Sequence, residues 1–242
     1  EKDLEGNITE ILPRKNALVR PAAANVDQAL VVFSITHPEP NLNLLDRFLV
    51  MMEAQEVPVV ICFNKTDLTG GAGEETYRAA YEAAGYEVLF ISARKGLGLE
   101  AVRSRMEGKT TVLAGPSGVG KSSLTNALFP QAAMETGSIS KKIQRGKHTT
   151  RHTELFSLGE NTYMMDTPGF SSMYIEDMEA GELEDYFPEF SRWEDGCKFL
   201  GCVHVGEKVC GVKDAVERGD IGRSRYENYR LMYQELKDKR RY

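Results

Sequence analysis

A short glycine-rich string narrows the choice of folds for this chain. It reads Gly115-Pro116-Ser117-Gly118-Val119-Gly120-Lys121-Ser122 and fits the pattern G-x-x-x-x-G-K-[ST]. Glycines at this spacing let successive backbone N–H groups turn toward a polyphosphate, and Lys121, a predicted catalytic residue, reaches its outer phosphates. An apolar run at Thr110–Ala114 precedes the string, and a helix is predicted at residues 123–128. This order of strand, turn and helix predicts a phosphate-binding loop, which we expect to extend to Ser123.

Strand and helix patterns alternate from residue 25 onward. The apolar runs at residues 29–35 and 57–63 are typical of strands buried on both faces, and a third strand is predicted at 86–92. Apolar residues recur at helical spacing in residues 42–52, and further helices are predicted at 74–84 and 99–106. This alternation predicts an α/β fold with a mostly parallel sheet and helices on both faces.

Composition divides the chain into three parts. Residues 1–24 hold two short extended segments that cannot bury a core by themselves. Residues 176–195 carry nine acidic residues against one basic residue, and residues 223–241 carry seven basic residues. We therefore expect domain boundaries after residues 24 and 175, with a separate unit at 176–242. No apolar run reaches the length of a membrane span and no secretory signal begins the chain, so the predicted location is the cytoplasm.

Two further strings complete a nucleotide site. In Asp166-Thr167-Pro168-Gly169, the carboxylate of Asp166 is a predicted Mg²⁺ ligand together with the Ser122 hydroxyl, and the N–H of Gly169 can meet a γ-phosphate. In Asn64-Lys65-Thr66-Asp67, the Asp67 carboxylate can accept hydrogen bonds from two guanine donors that adenine lacks. Ser92 and Ala93, at another strand end, are predicted to add backbone contacts to the base.

The order of these strings along the chain is unusual. Ordinary guanine-nucleotide switches run from the phosphate loop to D-x-x-G and then to N-K-x-D, whereas here N-K-x-D comes first. Moving the chain ends of a sheet can leave every strand in place, because termini lie near one another at the surface. The order therefore predicts a circularly permuted P-loop GTPase domain. The segment after D-x-x-G then leads directly into the C-terminal unit, and we expect nucleotide state to move that unit.

Hydrolysis requires a side chain that orients the attacking water. Phe170 stands where many GTPases carry a water-orienting Gln, and a phenyl ring cannot perform that role. The nearest polar candidate for this role is His148. The alternative interpretation is that His148 is an ordinary histidine in a surface loop. Thr150, in preference to Thr149, is a predicted Mg²⁺ ligand that senses the γ-phosphate, and both are expected to lie at the nucleotide.

Three cysteines and one histidine crowd into a short stretch. Cys197, Cys202, His204 and Cys210 match a closed Cys₃His site for one structural Zn²⁺ ion. The alternative is a group of buried thiols near a loop histidine, which the polar surroundings disfavour. We expect metal removal to unfold this region, since the sequence indicates little apolar core there.

Together these features resemble the bacterial ribosome small-subunit-dependent GTPases of the YjeQ/RsgA type. The resemblance is carried by the permuted order, by the string Gly146-Lys147-His148-Thr149-Thr150, by Asp166-Thr167-Pro168-Gly169-Phe170 and by the cysteine–histidine cluster. It covers essentially the whole chain, and the metal cluster makes it specific.

The resemblance implies a fold and a set of partners. Residues 1–24 would be the remnant of an N-terminal OB-fold, residues 25–175 the permuted GTPase domain and residues 176–242 a helical zinc domain. The implied activity is GTP hydrolysis, with Mg²⁺ accompanying GTP or GDP, during late maturation of the small (30S) ribosomal subunit and stimulated by the ribosome. The implied partner is that subunit and its rRNA, with phosphate contacts from the basic stretch at 223–241, no membrane, and a monomeric protein. The net charge of −6 favours localised contact with a specific partner.

Two other classes remain open at the level of sequence. A P-loop kinase or ATPase would share the phosphate loop, but Asn64 and Asp67 favour guanine. A zinc-based RNA-binding module with a degenerate nucleotide site is disfavoured by the intact Lys121, Ser122 and Asp166.

Overall fold

A six-stranded sheet lies at the centre of the molecule. The computed structural model describes residues 10–19, 21–129, 153–175 and 178–239. Its strands, in spatial order, are β5 (Glu87–Phe90), β4 (Val59–Asn64), β3 (Gln28–Ser34), β6 (Thr110–Ala114), β8 (Thr162–Asp166) and β7 (Glu154–Gly159). All neighbouring pairs are parallel except β7 with β8. The predicted mostly parallel sheet is therefore confirmed.

Among the described residues, two helices cover each face of this sheet. Helices α1 (Leu42–Glu53) and α2 (Glu74–Glu82) pack on one face, where Phe48, Leu49 and Tyr81 are buried against Phe33 and Phe63. Helices α3 (Leu99–Met106) and α4 (Lys121–Leu128) pack on the other face in a second buried cluster. Because both faces are covered, the central strands consist of nearly continuous apolar residues. For this reason their ends could be predicted from the sequence to within two residues.

Strand β7 was not predicted from the sequence. It forms an antiparallel edge strand, and the register of its hairpin with β8 shifts between Ser157 and Gly159. Its residues alternate irregularly between exposed and buried positions, with Phe156 buried and Leu155 exposed. A half-exposed edge strand gives a weaker apolar pattern than a central one, so sequence reasoning had little to detect.

A separate two-stranded sheet precedes the main sheet. Strands β1 (Ala17–Leu18) and β2 (Ala23–Ala24) pair antiparallel, with Leu18 buried against the first face of the main sheet. The assignment of residues 1–24 to an OB-fold remnant stays a prediction.

The C-terminal part has an apolar core of its own. Two 3₁₀ turns (Leu183–Tyr186 and Glu194–Gly196) lead to α5 (Gly211–Arg218) and α6 (Arg223–Lys239). A third buried cluster joins these elements and includes Phe187, Phe190, Val212, Tyr229 and Met232. The expectation of little apolar core here is wrong. Its aromatic residues are dispersed through an acidic stretch and a basic helix, which hides the core in the sequence pattern.

Helix α6 lies against helix α1 through a buried cluster of charged groups. Arg225 donates to Oδ1 of Asp46 at 2.8 Å and to Oε2 of Glu189 at 3.0 Å, and all three side chains are buried. Asn228 donates to the second oxygen of Asp46 at 2.6 Å. Burial raises the pKa of Asp46 even though Arg225 opposes the shift. The sequence did not predict this junction. Among the described residues, no helix combines the length and apolar character that a membrane crossing requires.

Candidate nucleotide site and metal centre

Three predicted nucleotide-binding strings lie at one edge of the sheet. Asn64 ends β4, Gly115 follows β6, and Asp166 ends β8. Because these strands are parallel, their carboxyl ends meet at the same edge. The fold thus brings together strings that are far apart in the chain.

The phosphate loop joins β6 to the first turn of α4. The helix begins at Lys121, after Gly120, whose φ is +99°. A Cβ atom at Gly120 would lie 2.4 Å from Nδ2 of Asn64, so only glycine allows this approach. Ser122 and Ser123 are exposed in that first turn, where backbone N–H groups can meet an anion.

Asn64 connects three of the predicted strings. Its Nδ2 donates to the carbonyl of Val119 in the phosphate loop at 2.9 Å. Its Oδ1 accepts from the backbone N–H groups of Lys65 at 2.8 Å and Ala93 at 3.0 Å. One buried amide side chain therefore fixes the base-recognition loops against the phosphate loop.

Lys65 and Asp67 are held by neighbouring loops. The ammonium of Lys65 donates to the carbonyl of Gly118 at 2.7 Å and to the carbonyl of His37. The Ser92 hydroxyl donates to Oδ1 of Asp67 at 2.5 Å. Thr66, beside them, donates its backbone N–H to the carbonyl of Ile91 at 3.1 Å.

Sequence reasoning missed the loop after β3. His37 supplies a carbonyl to Lys65, and the next residue, Pro38, approaches Gly118. The sequence could have indicated this loop only by its position, because it follows a central strand at the edge of the sheet where the other strings lie.

The ammonium of Lys121 is buried within the phosphate loop. It donates to the carbonyls of Gly115 at 2.7 Å and Pro116 at 2.9 Å. Burial lowers the pKa of Lys121 to about 8, while the charge of Asp166 acts in the opposite direction. A group so desolvated favours an anionic ligand, which would restore the charged form.

The D-x-x-G loop lies over the phosphate loop. A Cβ atom at Gly169 would be 3.1 Å from Nζ of Lys121 and 3.1 Å from the backbone nitrogen of Ser117. The hydroxyl of Thr167 donates to the carbonyl of Leu113 at 2.7 Å, which holds the loop to β6.

Phe170 points away from the site. Its ring stacks on Phe48 of α1, with centroids 5.6 Å apart and planes 5° from parallel. The side chain packs against the first buried cluster, so it has no part in orienting water. His148, Thr149 and Thr150 lie outside the described residues, and their predicted roles stay predictions.

The four predicted metal ligands converge. The donor atoms of Cys197, Cys202, His204 and Cys210 all lie within 4.8 Å of one another. Sγ of Cys197 is 3.8 Å from Sγ of Cys210, and Nδ1 of His204 is 3.6 Å and 3.3 Å from these two sulfurs. A tetrahedron with zinc–sulfur bonds of about 2.3 Å has sulfur–sulfur edges of about 3.8 Å. The sulfurs are too far apart for a disulfide, and the donor set fits a zinc ion.

The loop that carries these ligands is closely packed. A Cβ atom at Gly211 would lie 2.0 Å from the carbonyl of Trp193 and 2.9 Å from Cα of Gly196, so this backbone approach requires glycine. Burial raises the pKa of Cys202 to about 12. A cation would offset that penalty by stabilising the thiolate.

Two tyrosines of α6 complete the support of the metal centre. The hydroxyl of Tyr226 donates to the carbonyl of His204 at 2.6 Å, and that of Tyr229 donates to the carbonyl of Val203 at 2.8 Å. Sequence reasoning missed them, although two tyrosines three positions apart share one helix face.

Comparison with known proteins gives consistent matches. A family model described as RsgA GTPase matches residues 11–176. A protein of Agathobacter rectalis, named small ribosomal subunit biogenesis GTPase RsgA, is 53% identical over 98% of this chain and 78% of its own length. A protein of the same name from Alkaliphilus metalliredigens is 49% identical over 100% of this chain and 83% of its own length.

Solved structures are similar over the same extent. YjeQ from Thermotoga maritima has a TM-score of 0.75 and 37% identity, covering 94% of this chain and 77% of that one. YloQ, a circularly permuted GTPase, has a TM-score of 0.77 and 36% identity, covering 99% of this chain and 78% of that one. These matches confirm the permuted fold that the motif order predicts.

Proposed function

This chain belongs to the RsgA GTPase family, and on that premise we propose that it hydrolyses GTP during late maturation of the small ribosomal subunit, stimulated by that subunit. The observation that supports nucleotide binding best is the hydrogen bond from Asn64 to Val119. It joins the predicted guanine loop to the phosphate loop across 55 positions of sequence.

The proposed phosphate contacts come from the loop at residues 115–123 and from Lys121. The Lys121 ammonium donates to loop carbonyls, and a nucleotide phosphate would offer it a stronger, charged acceptor. The Ser122 hydroxyl and the Asp166 carboxylate are hard oxygen donors that fit Mg²⁺. When bound, this ion would neutralise charge on the phosphates.

Guanine selectivity is assigned to Asp67. The Ser92 hydroxyl donates to one of its oxygens, which orients the carboxylate. We propose that the carboxylate accepts hydrogen bonds from the N1–H and amino groups of guanine. Adenine has no such pair of donors on that edge.

The proposed divisions are residues 1–24, 25–175 and 176–242. The separate buried cluster of the C-terminal part supports the last boundary. The proposed ribosomal partner would place the protein in the cytoplasm.

Contact with rRNA phosphates is proposed for the exposed basic residues of α6. Arg223, Arg230, Lys237 and Lys239 are exposed. Arg225 also belongs to this basic stretch, but it is only 1% exposed and forms ion pairs with two carboxylates. It therefore stabilises the junction with α1 and cannot contact rRNA.

We further propose that nucleotide state moves the C-terminal part through α1. Phe170, next to the D-x-x-G loop, stacks on Phe48 of α1, and Arg47 of α1 donates to Glu235 of α6 at 3.2 Å. Amide hydrogen exchange in residues 183–236 should differ between GDP and a non-hydrolysable GTP analogue; identical exchange would refute this coupling.

The decisive experiment measures multiple-turnover GTP hydrolysis with and without purified small ribosomal subunits. We expect turnover to rise when subunits are added, and ATP to compete poorly for binding. Lys121→Ala is expected to weaken nucleotide binding by about a hundredfold, since it removes a charged hydrogen-bond donor.

Three results would contradict the proposal. Effective competition by ATP would favour a kinase or ATPase. Absence of hydrolysis, even with subunits, would favour an RNA-binding module with a degenerate site. Unchanged affinity in Lys121→Ala would overturn the phosphate-loop assignment.

A further inference from the structure

Glu184 lies beside the imidazole of the predicted metal ligand His204. Its Oε2 is 2.8 Å from Nε2 of His204, on the side of the ring opposite Nδ1. Nδ1 is the nitrogen that faces the sulfurs of Cys197 and Cys210. The two ring nitrogens thus face two different environments, one made of thiols and one made of a carboxylate.

Neither of the two atoms has an alternative partner. Nε2 of His204 and Oε2 of Glu184 are both buried, and neither has a hydrogen-bond partner among the described residues. A buried polar atom without a partner costs free energy, and the two atoms lie 2.8 Å apart, so a small rotation of either side chain would let a proton on Nε2 satisfy both. That tautomer leaves the lone pair of Nδ1 directed at the thiols, as metal ligation requires.

The surroundings hold the imidazole in this position. The ring of Phe190 meets it edge-on, with centroids 5.5 Å apart, and Tyr226 fixes the backbone carbonyl of His204. Glu184 belongs to the 3₁₀ turn Leu183–Tyr186, whose residue Leu183 is fully buried in the C-terminal core. The carboxylate is therefore presented by a packed element and not by a free loop.

We propose that Glu184 is a positioning residue of the metal centre, which accepts a hydrogen bond from Nε2–H of His204 and so orients Nδ1 toward the bound ion. This inference rests on the prediction that Cys197, Cys202, His204 and Cys210, whose donor atoms all lie within 4.8 Å of one another, hold a structural Zn²⁺ ion. Glu184 does not touch the ion; it acts through His204, by fixing the ring tautomer and by raising the basicity of the ligating nitrogen.

The test is zinc competition with a chromophoric chelator, using the full chain and its variants. Glu184→Ala is expected to bind Zn²⁺ about 10- to 100-fold more weakly than the unaltered protein. Glu184→Gln keeps an acceptor oxygen but loses the charge, so its Zn²⁺ affinity should lie between that of the unaltered protein and that of Glu184→Ala. Asp185→Ala, at the neighbouring exposed position, is the matched control and should change affinity by less than about twofold.

A second measurement separates positioning from folding. With Co²⁺ as the probe, the visible absorption bands report the ligand field, and Glu184→Ala should shift them while circular dichroism retains the helical signal. If Glu184→Ala folds poorly, the same comparison is made on Glu184→Gln.

The possible failures are distinct. If the unaltered protein binds no Zn²⁺ in competition, the zinc site itself is wrong. If it binds Zn²⁺ but Glu184→Ala and Glu184→Gln match Asp185→Ala in affinity and Co²⁺ spectrum, the zinc site stands and the role of Glu184 is overturned.

Discussion

At the residue scale, individual side chains in the nucleotide site have partners that define their chemical roles. Asp67 receives the Ser92 hydroxyl, and Lys121 is desolvated among loop carbonyls. The role of Asp67 can be tested by a single substitution, and that of Lys121 by changing the pH.

Asp67→Asn should change the preferred base. The amide keeps an oxygen that can accept from Ser92, but its NH₂ group opposes the guanine donors and matches the C2 carbonyl of xanthine. We expect GTP affinity to fall about a hundredfold and xanthosine triphosphate affinity to rise, measured by competition binding. Retained GTP selectivity would count against the role assigned to Asp67.

The lowered pKa of Lys121 predicts a pH dependence of nucleotide binding. Phosphates favour the ammonium form, so the pKa of Lys121 is higher in the complex than the value of about 8 in the free protein. The favourable interaction is therefore complete below that value and weakens as the pH rises through it. GDP affinity should fall about tenfold between about pH 7 and about pH 9.

Calorimetry provides the check. At a pH near 8, binding should take up about half a proton, seen as a difference in heat between two buffers of unlike ionisation enthalpy. No proton uptake at that pH would show that Lys121 is already fully charged in the free protein.

At the scale of elements, the metal centre and the helices around it have separate sources of stability. The loop with Cys197, Cys202, His204 and Cys210 would depend on a bound ion, whereas α5 and α6 share a buried aromatic and aliphatic cluster with the preceding 3₁₀ turns. The two parts should therefore respond differently to loss of the ion.

Metal removal should loosen the ligand loop and leave the helices folded. Chelation is expected to speed cleavage by trypsin after the exposed Lys198 and Lys208, while far-ultraviolet circular dichroism changes little. Cleavage after Arg223, at the start of α6, is the internal control and should stay slow. Loss of the helical signal on chelation would instead show that the helices, too, need the ion in order to fold.

At the scale of the whole molecule, a buried charge cluster joins the C-terminal part to the sheet domain. Arg225 compensates Asp46 on α1 and Glu189 on the C-terminal side. Its guanidinium also lies over the ring of Phe187, 4.9 Å from the centroid.

Arg225→Ala should destabilise the protein strongly. Removing the guanidinium leaves two buried carboxylates without their cation, which costs about 3–5 kcal/mol of unfolding free energy. The matched control is Arg105→Ala, which removes a largely exposed pair with Glu87 and should cost less than about 1 kcal/mol. Denaturant unfolding measures both, and equal small losses would mean that the cluster contributes little to stability.

The short motifs allowed the nucleotide and metal sites to be predicted from sequence, because phosphate, guanine and zinc each require particular residue types at close spacing. Strands β3, β4 and β6 were predictable for a related reason, since burial on both faces leaves a continuous apolar run. The edge strand β7 and the loop at His37 have no such local signal.

The sequence by itself therefore determined the permuted order of the motifs, the parallel sheet and the set of residues that could hold a metal ion. Only the tertiary structure decided that Phe170 packs on α1, that Arg225 is buried and that the C-terminal part has its own core. These features depend on contacts such as that between Asp46 and Arg225, which lie 179 positions apart. A buried pair of charged side chains leaves no apolar periodicity in either segment, so it becomes visible only once the chain has folded.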